Sequence, residues 1–503
     1  MSRKKLILLY TLIAVLIVIG SYFLNAQLDP LQLSWRIIVI IFVINIFLIA
    51  SVILLEKRNP YKTIAWLLVF IAFPIGGYVL YTFFGRNMRK ERILKNLKDY
   101  NRCYEILATY RSALKSPDFD MPDLRINRLM KNSTTLPIQF YNNIKVLTNG
   151  PSTFREIIKE LRKARDHIHM EYYIIRDDKL GVHIRNILIE KARQGVEIRI
   201  LYDGVGSMQL TQSFFQPLRE AGGQVHAFLP FKFPFLDYRS NYRNHRKILI
   251  VDGRAGFLGG LNIGDEYLGR TKAFQFWRDT HLKLEGDAVY SLQAVFMQDW
   301  IFAAGKDLDC GRYFPRHDIK MVKPVQIVAS SPDSRWNSIQ NLYTQLVSMA
   351  EKKLYITTPY LIPDESLLTA LKLAALSDVD VRLLVPGIPD KKIVHWASRS
   401  YYEELMEAGV RIYEYTRGFI HAKVIQVDGK IASVGTANFD IRSLHLGYEV
   451  NALIFDEQIA KILEEDFSRD LKHCIEIDLK KWTDRPLTEN LKESTARLFS
   501  PLL

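Results

Sequence analysis

The 503-residue sequence predicts an α/β protein whose fold is duplicated within one chain, behind an apolar amino terminus. Two observations lead to this class. Amphipathic helical segments alternate with short apolar strands from about residue 136 onward, which is the pattern of layered α/β folds. The same succession of segments then recurs later in the chain, so we expect two similar halves, 136–322 and 323–503.

The first 85 residues are predicted to form a membrane anchor. Residues 6–24 and 37–55 are two almost wholly apolar runs, and a helix needs about 20 apolar residues to cross the hydrocarbon of a bilayer. A cleavable signal peptide is the alternative for the first run, but the run is longer than the apolar core of such signals usually is. We therefore expect two transmembrane helices.

A third apolar stretch, 63–85, contains Pro74, Gly76 and Gly77, which would break a simple helix. Basic residues precede the first run, follow the second and also follow this third stretch. By the positive-inside rule all three flanks belong in the cytoplasm, so both ends of the third stretch lie on the same side. We expect a re-entrant or interfacial hairpin that leaves the remainder of the chain cytoplasmic; the alternative is a third crossing with the catalytic part outside. Residues 86–135 are then a basic juxtamembrane connector.

The formal net charge of +14 favours an anionic partner. Nucleic acid, anionic lipid and a phosphorylated substrate all satisfy this charge. The three cysteines are far apart and form no CxxC pair, and no cluster of histidines and carboxylates has the spacing of metal ligands. We therefore expect neither a metal nor another cofactor.

The two halves are recognised by three pairs of matching segments. Each pair consists of helical residues followed by an apolar strand, which indicates duplication of a whole domain rather than a short solenoid repeat. The pairs are residues 157–175 with 342–362, residues 187–204 with 370–387, and residues 218–228 with 405–415.

A rare polar pattern also occurs twice, at matching places in the repeat. Its frame is H-x-K-x4-D-x6-G-x2-N, and so many specified positions make two chance copies in one chain implausible. The first copy comprises His245, Lys247, Asp252, Gly259 and Asn262, and the second comprises His421, Lys423, Asp428, Gly435 and Asn438.

The spacing within each copy predicts a hairpin that presents its polar side chains together. Residues i and i+2 of a strand point to one face, so each histidine and lysine should share a target. The following Asp-Gly pair predicts a tight turn. The glycine of the returning strand would let a substrate oxygen approach the backbone, and the asparagine would add a donor. If the halves pack about a pseudo-two-fold axis, both copies converge on one cationic pocket suited to a phosphate diester.

Two histidines in such a pocket suggest a nucleophile and a general acid–base. A nucleophilic imidazole needs a carboxylate on its far nitrogen, and Asp279 and Glu449 follow the first and second motifs. We expect each carboxylate to lie behind the histidine of its own motif; the alternative is that both are ordinary carboxylates at strand ends. Asp252 and Asp428 belong to the catalytic frame, and the turn favours a structural role for them over a chemical one.

The paired motif resembles the signature of the phospholipase D superfamily. Residues 59–87 and 438–451 are similar in particular to bacterial cardiolipin synthases, and the resemblance extends from about Ile37 onward. The resemblance implies two α-β-α sandwich halves about a pseudo-two-fold axis. One difference is that Gly260 stands where many members have serine, while the second copy has Thr436.

The activity implied by the resemblance is the conversion of two phosphatidylglycerol molecules to cardiolipin and glycerol through a phosphatidyl-histidine, at the surface of a bacterial membrane. By analogy with the superfamily His245 would be the nucleophile and His421 the acid–base, although the near symmetry leaves the reverse open. A hydrolytic phospholipase D and a membrane-tethered nuclease are the alternative enzymes, and a lipid-binding scaffold is the non-enzymatic one. We expect no nucleic-acid partner, because no stacking platform for single strands is evident.

Overall fold

The computed structural model describes residues 125–500 except 231–240, 272–274, 306, 307, 333 and 335, together with eight positions between 64 and 81. The chain divides into two compact units, one made of residues 1–89 and 235–238 and the other of residues 90–234 and 239–503. The predicted spans 6–24 and 37–55 lie outside the described residues, as does most of the connector.

The described positions of the amino-terminal unit include contacts between residues that are far apart along a helix. The rings of Trp66 and Tyr81 meet edge to face with their centroids 5.2 Å apart. A Cβ added at Gly77 would lie 2.9 Å from the carbonyl oxygen of Val69. Residues fifteen and eight positions apart would be separated by more than 10 Å in a straight helix at about 1.5 Å per residue, so these described positions do not lie along one straight helix. Within the described part of the chain, no helix combines the length and apolar character that a membrane span requires.

The large unit is built from helices that alternate with strands. The helices are α1 (Arg125–Ser133), α2 (Asn149–Lys163), α3 (Lys179–Arg193), α4 (Gln216–Glu220), α5 (Asp287–Ala304), α6 (Ser338–Ser348), α7 (Glu365–Leu376), α8 (Lys392–Arg399), α9 (Tyr402–Glu407), α10 (Ile441–His445), α11 (Glu457–Leu471), α12 (Leu479–Thr483) and α13 (Leu487–Arg497).

The strands of the first half are β1 (Ile138–Thr148), β2 (His167–Tyr172), β3 (Glu197–Asp203), β4 (Gln224–Phe228), β5 (Lys247–Val251), β6 (Ala255–Gly259), β7 (Trp277–Arg278) and β8 (Thr280–Gly286). Those of the second half are β9 (Val322–Ser330), β10 (Lys353–Thr357), β11 (Leu361–Ile362), β12 (Asp380–Pro386), β13 (Arg411–Tyr415), β14 (Phe419–Ile420), β15 (Val424–Val427), β16 (Ile431–Gly435), β17 (Phe439–Asp440), β18 (Glu449–Phe455) and β19 (Cys474–Glu476).

One sheet runs through both halves. Fifteen of the described strands pair in the order β19-β13-β12-β10-β15-β16-β18-β9-β1-β8-β6-β5-β2-β3-β4. Outward from the central antiparallel pair of β1 and β9, the two halves have the same succession of strands, apart from the additional β19. The parallel trios β2-β3-β4 and β10-β12-β13 are connected by helices, as parallel pairing requires. This order is that of a duplicated α/β fold with approximate two-fold symmetry.

The hydrophobic core continues across the seam between the halves. Helix α5 of the first half packs on β9 as well as on β1 and β8, and helix α11 of the second half packs on β1. Leu292 and Phe296 of α5 are fully buried in a cluster that also contains Ile248 from the first motif and Val434 from the second. Since burial of a large apolar side chain contributes roughly 1.5–3 kcal/mol, this shared cluster holds the two motifs in a fixed relative position.

Each motif forms the predicted hairpin. The turn residues Asp252 and Gly253 have φ values of 53° and 61°, and Asp428 and Gly429 have 52° and 66°. Two successive residues with positive φ are typical of the tight turn that matches strand twist, and Asp-Gly is among the pairs that adopt it most easily. The strands begin later than predicted, however, because β5 starts at Lys247 and β15 at Val424. Both histidines therefore lie just ahead of their hairpins.

Candidate active site

His245 is held between the two halves of the protein. Asn244 bridges to Tyr448 in parallel, and the amide of His245 donates to the carbonyl of Tyr448 at 2.9 Å. This pairing brings the imidazole beside Glu449, whose two carboxylate oxygens lie 3.0 and 3.1 Å from Nδ1. A carboxylate on Nδ1 keeps the proton there and leaves the lone pair on Nε2.

His421 occupies the reciprocal position. Strand β14 pairs in parallel with β7 of the first half, and the amide of His421 donates to the carbonyl of Arg278 at 2.7 Å. Nδ1 of His421 consequently lies 2.8 Å from Oδ2 of Asp279. Asp279 and Glu449 thus both lie behind motif histidines, but the expected pairing within each half is wrong. Each carboxylate serves the histidine of the other half, because the segments ahead of the hairpins pair across the seam.

Both histidines line one cavity of about 540 Å³. The exposed fraction of the His245 side chain is 17% and that of His421 is 9%. The ring of Tyr173 packs edge to face on His245, and the rings of Trp277 and Phe419 contact His421. The cavity also carries four basic side chains, Arg176, Arg243, Lys391 and Arg442. This combination of aromatic walls and cations suits an amphipathic anion.

Burial sets the protonation of the two imidazoles. Desolvation lowers the pKa of His245 to about 4, against the opposing charge of Glu449. Desolvation also lowers the pKa of His421 well below its ordinary value, and the charges of Lys423 and Lys247 add to this effect. Both rings are therefore neutral at neutral pH before an anion enters the cavity.

The motif lysines are buried beneath the histidines. Lys247 Nζ donates to the carbonyl of His245 at 2.6 Å, and Lys423 Nζ donates to that of His421 at 2.5 Å. Desolvation lowers the pKa of Lys247 to about 7 and that of Lys423 to about 8. Each lysine thus holds the backbone of its histidine and is close to losing its proton near neutral pH, and an anionic substrate would stabilise its charged form.

The motif aspartates lie at the far ends of the hairpins. The carboxylate of Asp252 accepts hydrogen bonds from the backbone amides of Arg165, Asp166 and His167. The carboxylate of Asp428 accepts three in the same way, from residues 351, 352 and 353. Neither is among the described residues that line the cavity. Their geometry matches the structural role that the turn favours.

The motif glycines do not contact the cavity. A Cβ at Gly259 would overlap His281 and the carbonyl of Thr280, and one at Gly435 would overlap Asn451. The expectation that a substrate oxygen approaches the backbone there is wrong, since the neighbouring strand β8 or β18 fills that space. Glycine is needed because the strands approach so closely.

The next residue explains the difference between the two copies. A Cβ at Gly260 would overlap the carboxylate of Asp279, which already accepts from the indole of Trp277 at 3.4 Å. Thr436, at the corresponding place in the second copy, donates its hydroxyl to Glu449 Oε2 at 2.5 Å. A hydroxyl therefore orients Glu449, whereas a glycine makes room for Asp279.

The two motif asparagines line the cavity but differ in their contacts. Asn262 accepts from the amide of Ile174 at 3.0 Å and donates to the hydroxyl of Tyr267 at 3.1 Å. Asn438 has no hydrogen bond at Oδ1 within the described part of the chain. Asn262 thus fixes its loop through two hydrogen bonds, whereas Oδ1 of Asn438 is buried without one among the described residues.

Sequence reasoning did not identify Arg243 as a site residue. This buried side chain lines the cavity and donates from Nη1 to Asp203 Oδ1 at 3.3 Å. Asp203 also accepts from the amide of Asn244 at 2.9 Å. Aligning the motifs would have found the signal, because Arg243 precedes His245 by two positions where the second copy has Phe419.

Comparisons with known proteins agree with this geometry. The family described as "Cardiolipin synthase, PLD-like domain" matches residues 157–300 and 343–471, and the family described as "Phospholipase_D-nuclease N-terminal" matches residues 43–86. The chain is 46% identical over 473 residues to Cardiolipin synthase 2 of Bacillus anthracis, covering 92% of this chain and 91% of the relative. It is 42% identical over 489 residues to the major cardiolipin synthase ClsA of Bacillus subtilis, covering 94% of this chain and all of the relative. Its fold is similar to that of a phosphatidylserine synthase from Haemophilus influenzae, with a TM-score of 0.59 at 16% identity over 76% of this chain and all of that one.

Proposed function

The chain belongs to the bacterial cardiolipin synthases of the phospholipase D superfamily, which are phosphatidyltransferases, and from this premise we propose how its cavity makes cardiolipin. Two phosphatidylglycerol molecules react in turn, and glycerol is the second product. The observation that carries the proposal is the placement of two imidazoles, each with a carboxylate from the other half on Nδ1, in one cavity.

In the first step His245 attacks the phosphorus of the donor lipid. The lone pair of Nε2 forms the P–N bond, and the P–O bond to glycerol breaks. Glu449 accepts a hydrogen bond from the Nδ1–H and stabilises the positive charge that develops on the ring. Three features favour His245 over His421 for this role: its larger exposure to the cavity, the hydroxyl of Thr436 on Glu449, and the neighbouring guanidinium of Arg243.

His421 supplies a proton to the departing glycerol oxygen. Its low pKa in the empty cavity results from burial and from the charges of Lys423 and Lys247. A phosphodiester anion in the cavity offsets those charges, so substrate binding raises the pKa of the imidazole and loads it with a proton. Asp279 holds the resulting imidazolium on Nδ1.

In the second step the terminal hydroxyl of another phosphatidylglycerol gives its proton to His421. Its oxygen forms a bond to phosphorus, and the P–N bond to His245 breaks. The product is cardiolipin, and both imidazoles return to their starting states. The buried charges of Lys247 and Lys423 and the guanidinium of Arg243 stabilise the phosphoryl oxygens in both steps.

The apolar runs 6–24 and 37–55 are proposed to anchor the catalytic unit in the membrane, with that unit on the cytoplasmic side. The basic residues that flank these runs support this orientation. An anchored enzyme meets its lipid substrates in the plane of the bilayer.

The test compares two substrates in the full-length protein. Wild type should convert phosphatidylglycerol to equal amounts of cardiolipin and glycerol, and both His245→Ala and His421→Ala should abolish this conversion. A phosphatidyl p-nitrophenyl ester has a leaving group that needs no proton. His421→Ala should therefore still release nitrophenol in a single turnover, while His245→Ala should not. The opposite pattern would exchange the two roles, and phosphatidic acid as the main wild-type product would contradict synthase activity.

A further inference from the structure

One carboxylate that lines the cavity is exposed and has no role in the mechanism described above. Of the described carboxylates that line the cavity, Glu449 is held by His245 and Thr436, Asp440 accepts from the amide of Ser443, and Glu266 contacts Arg176. Asp390 is exposed instead. An exposed negative charge is unfavourable for binding a phosphodiester, so its presence in this cavity suggests contact with another part of the substrate.

Asp390 is oriented by a tyrosine. The hydroxyl of Tyr360 donates to Asp390 Oδ2 at 2.6 Å, and Oδ1 makes no hydrogen bond within the described part of the chain. A hydrogen bond to one carboxylate oxygen fixes the direction of the other. The pair therefore offers an oriented acceptor to whatever enters the cavity.

The pair lies on the His421 side. Tyr360, Asp390 and Lys391 also line a small adjoining cleft with Phe419, whose ring centroid is 5.8 Å from that of His421. Electrostatics agree with this placement. Burial is the largest cause of the low pKa of His421, and Lys391 is one of the charges that lower it further.

At the place that corresponds to Tyr360, the described part of the first half has no tyrosine. Leu361 pairs with Phe439 in the second half, and Ile175 bridges to Ile263 in the first. These two pairings make Leu361 and Ile175 corresponding residues. Tyr360 therefore corresponds to Ile174, an apolar residue. The tyrosine that orients the acceptor is therefore absent at the corresponding place of the first half, which supports a role beside one histidine.

Resting on the proposed function, we propose that Asp390 and Tyr360 form a subsite that binds the glycerol hydroxyls of phosphatidylglycerol next to His421. His421 protonates the leaving glycerol in the first step and deprotonates a glycerol hydroxyl in the second, so both glycerols pass through the same place. The free hydroxyl of each glycerol donates to Asp390 while the reacting oxygen lies at His421. The subsite thus selects a polyol over a simple alcohol.

The experiment uses small alcohols as acceptors for the phosphatidyl group. The full-length protein is given the phosphatidyl p-nitrophenyl ester, a donor without a glycerol headgroup, in mixed micelles with excess labelled glycerol or n-propanol. Exchange of nitrophenol for labelled glycerol and its exchange for n-propanol are measured separately. The variants are Asp390→Asn and Tyr360→Phe, and the matched control is Asp318→Asn, an exposed aspartate that is not among the described residues lining the cavity.

Removing a hydrogen bond to a charged group should lower the rate of glycerol exchange about 10- to 100-fold. Asp390→Asn should show this loss, and Tyr360→Phe should show a smaller one. The rate of n-propanol transfer, divided by the amount of enzyme that reacts with the p-nitrophenyl ester, should change by no more than about 2-fold. Unchanged glycerol exchange, or an equal loss on both alcohols in both variants, would overturn the subsite. A wild type that exchanges glycerol but makes no cardiolipin would contradict the proposed function and leave the subsite standing.

Discussion

Glu449 Oε1 lies 3.0 Å from Nδ1 of His245, although the carboxylate follows the second motif and the imidazole begins the first. Asp279 and His421 make the reciprocal contact at 2.8 Å. Each histidine is therefore oriented by the opposite half, and neither half by itself contains a complete histidine–carboxylate pair. The proposed active site thus includes the seam between the halves, across which the sheet and the core continue.

The crossed pairing predicts different effects for the two carboxylates. Glu449→Gln removes the charge that stabilises His245 during attack, so we expect cardiolipin formation and release of nitrophenol from the p-nitrophenyl ester both to fall about 100-fold. Asp279→Asn should lower cardiolipin formation by a similar factor and nitrophenol release by much less. Initial rates on both substrates give the answer, with the exposed Glu457→Gln as control. Nitrophenol release that depends on Asp279 rather than Glu449 would contradict the assignment of His245.

The lysine pKa values predict how substrate capture depends on pH. Burial lowers the pKa of Lys247 to about 7 and that of Lys423 to about 8, so the free enzyme loses both positive charges as the pH rises through this range. We expect kcat/KM for phosphatidylglycerol to fall from pH 7 to 9 at constant ionic strength. Lys247→Arg, whose charge persists at these pH values, should have a lower maximum and a smaller decline. A wild-type profile that is flat or rising over this range would show that these charges do not bind the substrate.

Arg243 is predicted to contribute to anion binding. Arg243→Gln should raise KM for phosphatidylglycerol about 10-fold, since a hydrogen bond between charged groups contributes roughly 1.5–3 kcal/mol. In this variant Asp203 should still accept hydrogen bonds from the backbone amides of Val205, Gly206 and Asn244, so the local structure should persist. Steady-state kinetics in mixed micelles would measure the change, and Arg193→Gln on the exposed face of α3 is the control. An unchanged KM would place the lipid phosphate elsewhere.

The space at Gly260 predicts an asymmetric response to small substitutions. Gly260→Ala places a methyl group on the carboxylate of Asp279, so we expect at least about a 10-fold lower kcat as Asp279 moves away from His421. Thr436→Ser keeps the hydroxyl on Glu449 and should retain most activity, whereas Thr436→Val should not. The measurement is kcat for the folded enzyme, with thermal unfolding as the check on folding. Full activity of Gly260→Ala would mean that Asp279 can move without effect.

The motif aspartates should affect stability rather than chemistry. Asp252→Ala removes the acceptor of three backbone hydrogen bonds, and we expect the free energy of unfolding to fall by about 2–4 kcal/mol. The rate per active site, counted by a single-turnover burst of nitrophenol, should change little. Thermal unfolding in detergent, compared with Asp318→Ala, would measure the first effect. A normal melting temperature with a large drop in the rate per site would instead give Asp252 a chemical role.

Local features of the fold followed directly from the sequence. The Asp-Gly turns of both hairpins, the alternation of helices with strands and the repeat itself depend on residues close together in the chain, where backbone preference and periodicity decide the outcome. The residues proposed to be catalytic were also identified from the sequence, because two copies of a rare motif leave few alternatives. The prediction that the histidines lie within the strands was wrong, since the chain leaves the hairpin early to pair with the other half.

The sequence by itself thus determined the duplicated α/β fold, the two histidine–lysine hairpins and the membership of the family. Only the tertiary structure decided that Glu449 orients His245 across 204 positions of sequence and Asp279 orients His421 across 142. It also brought Arg243, Tyr360 and Asp390 to the cavity. The physical reason is that these contacts arise from strand pairing and shared burial between the two halves. The hydrophobic periodicity within either half carries no information about such pairing.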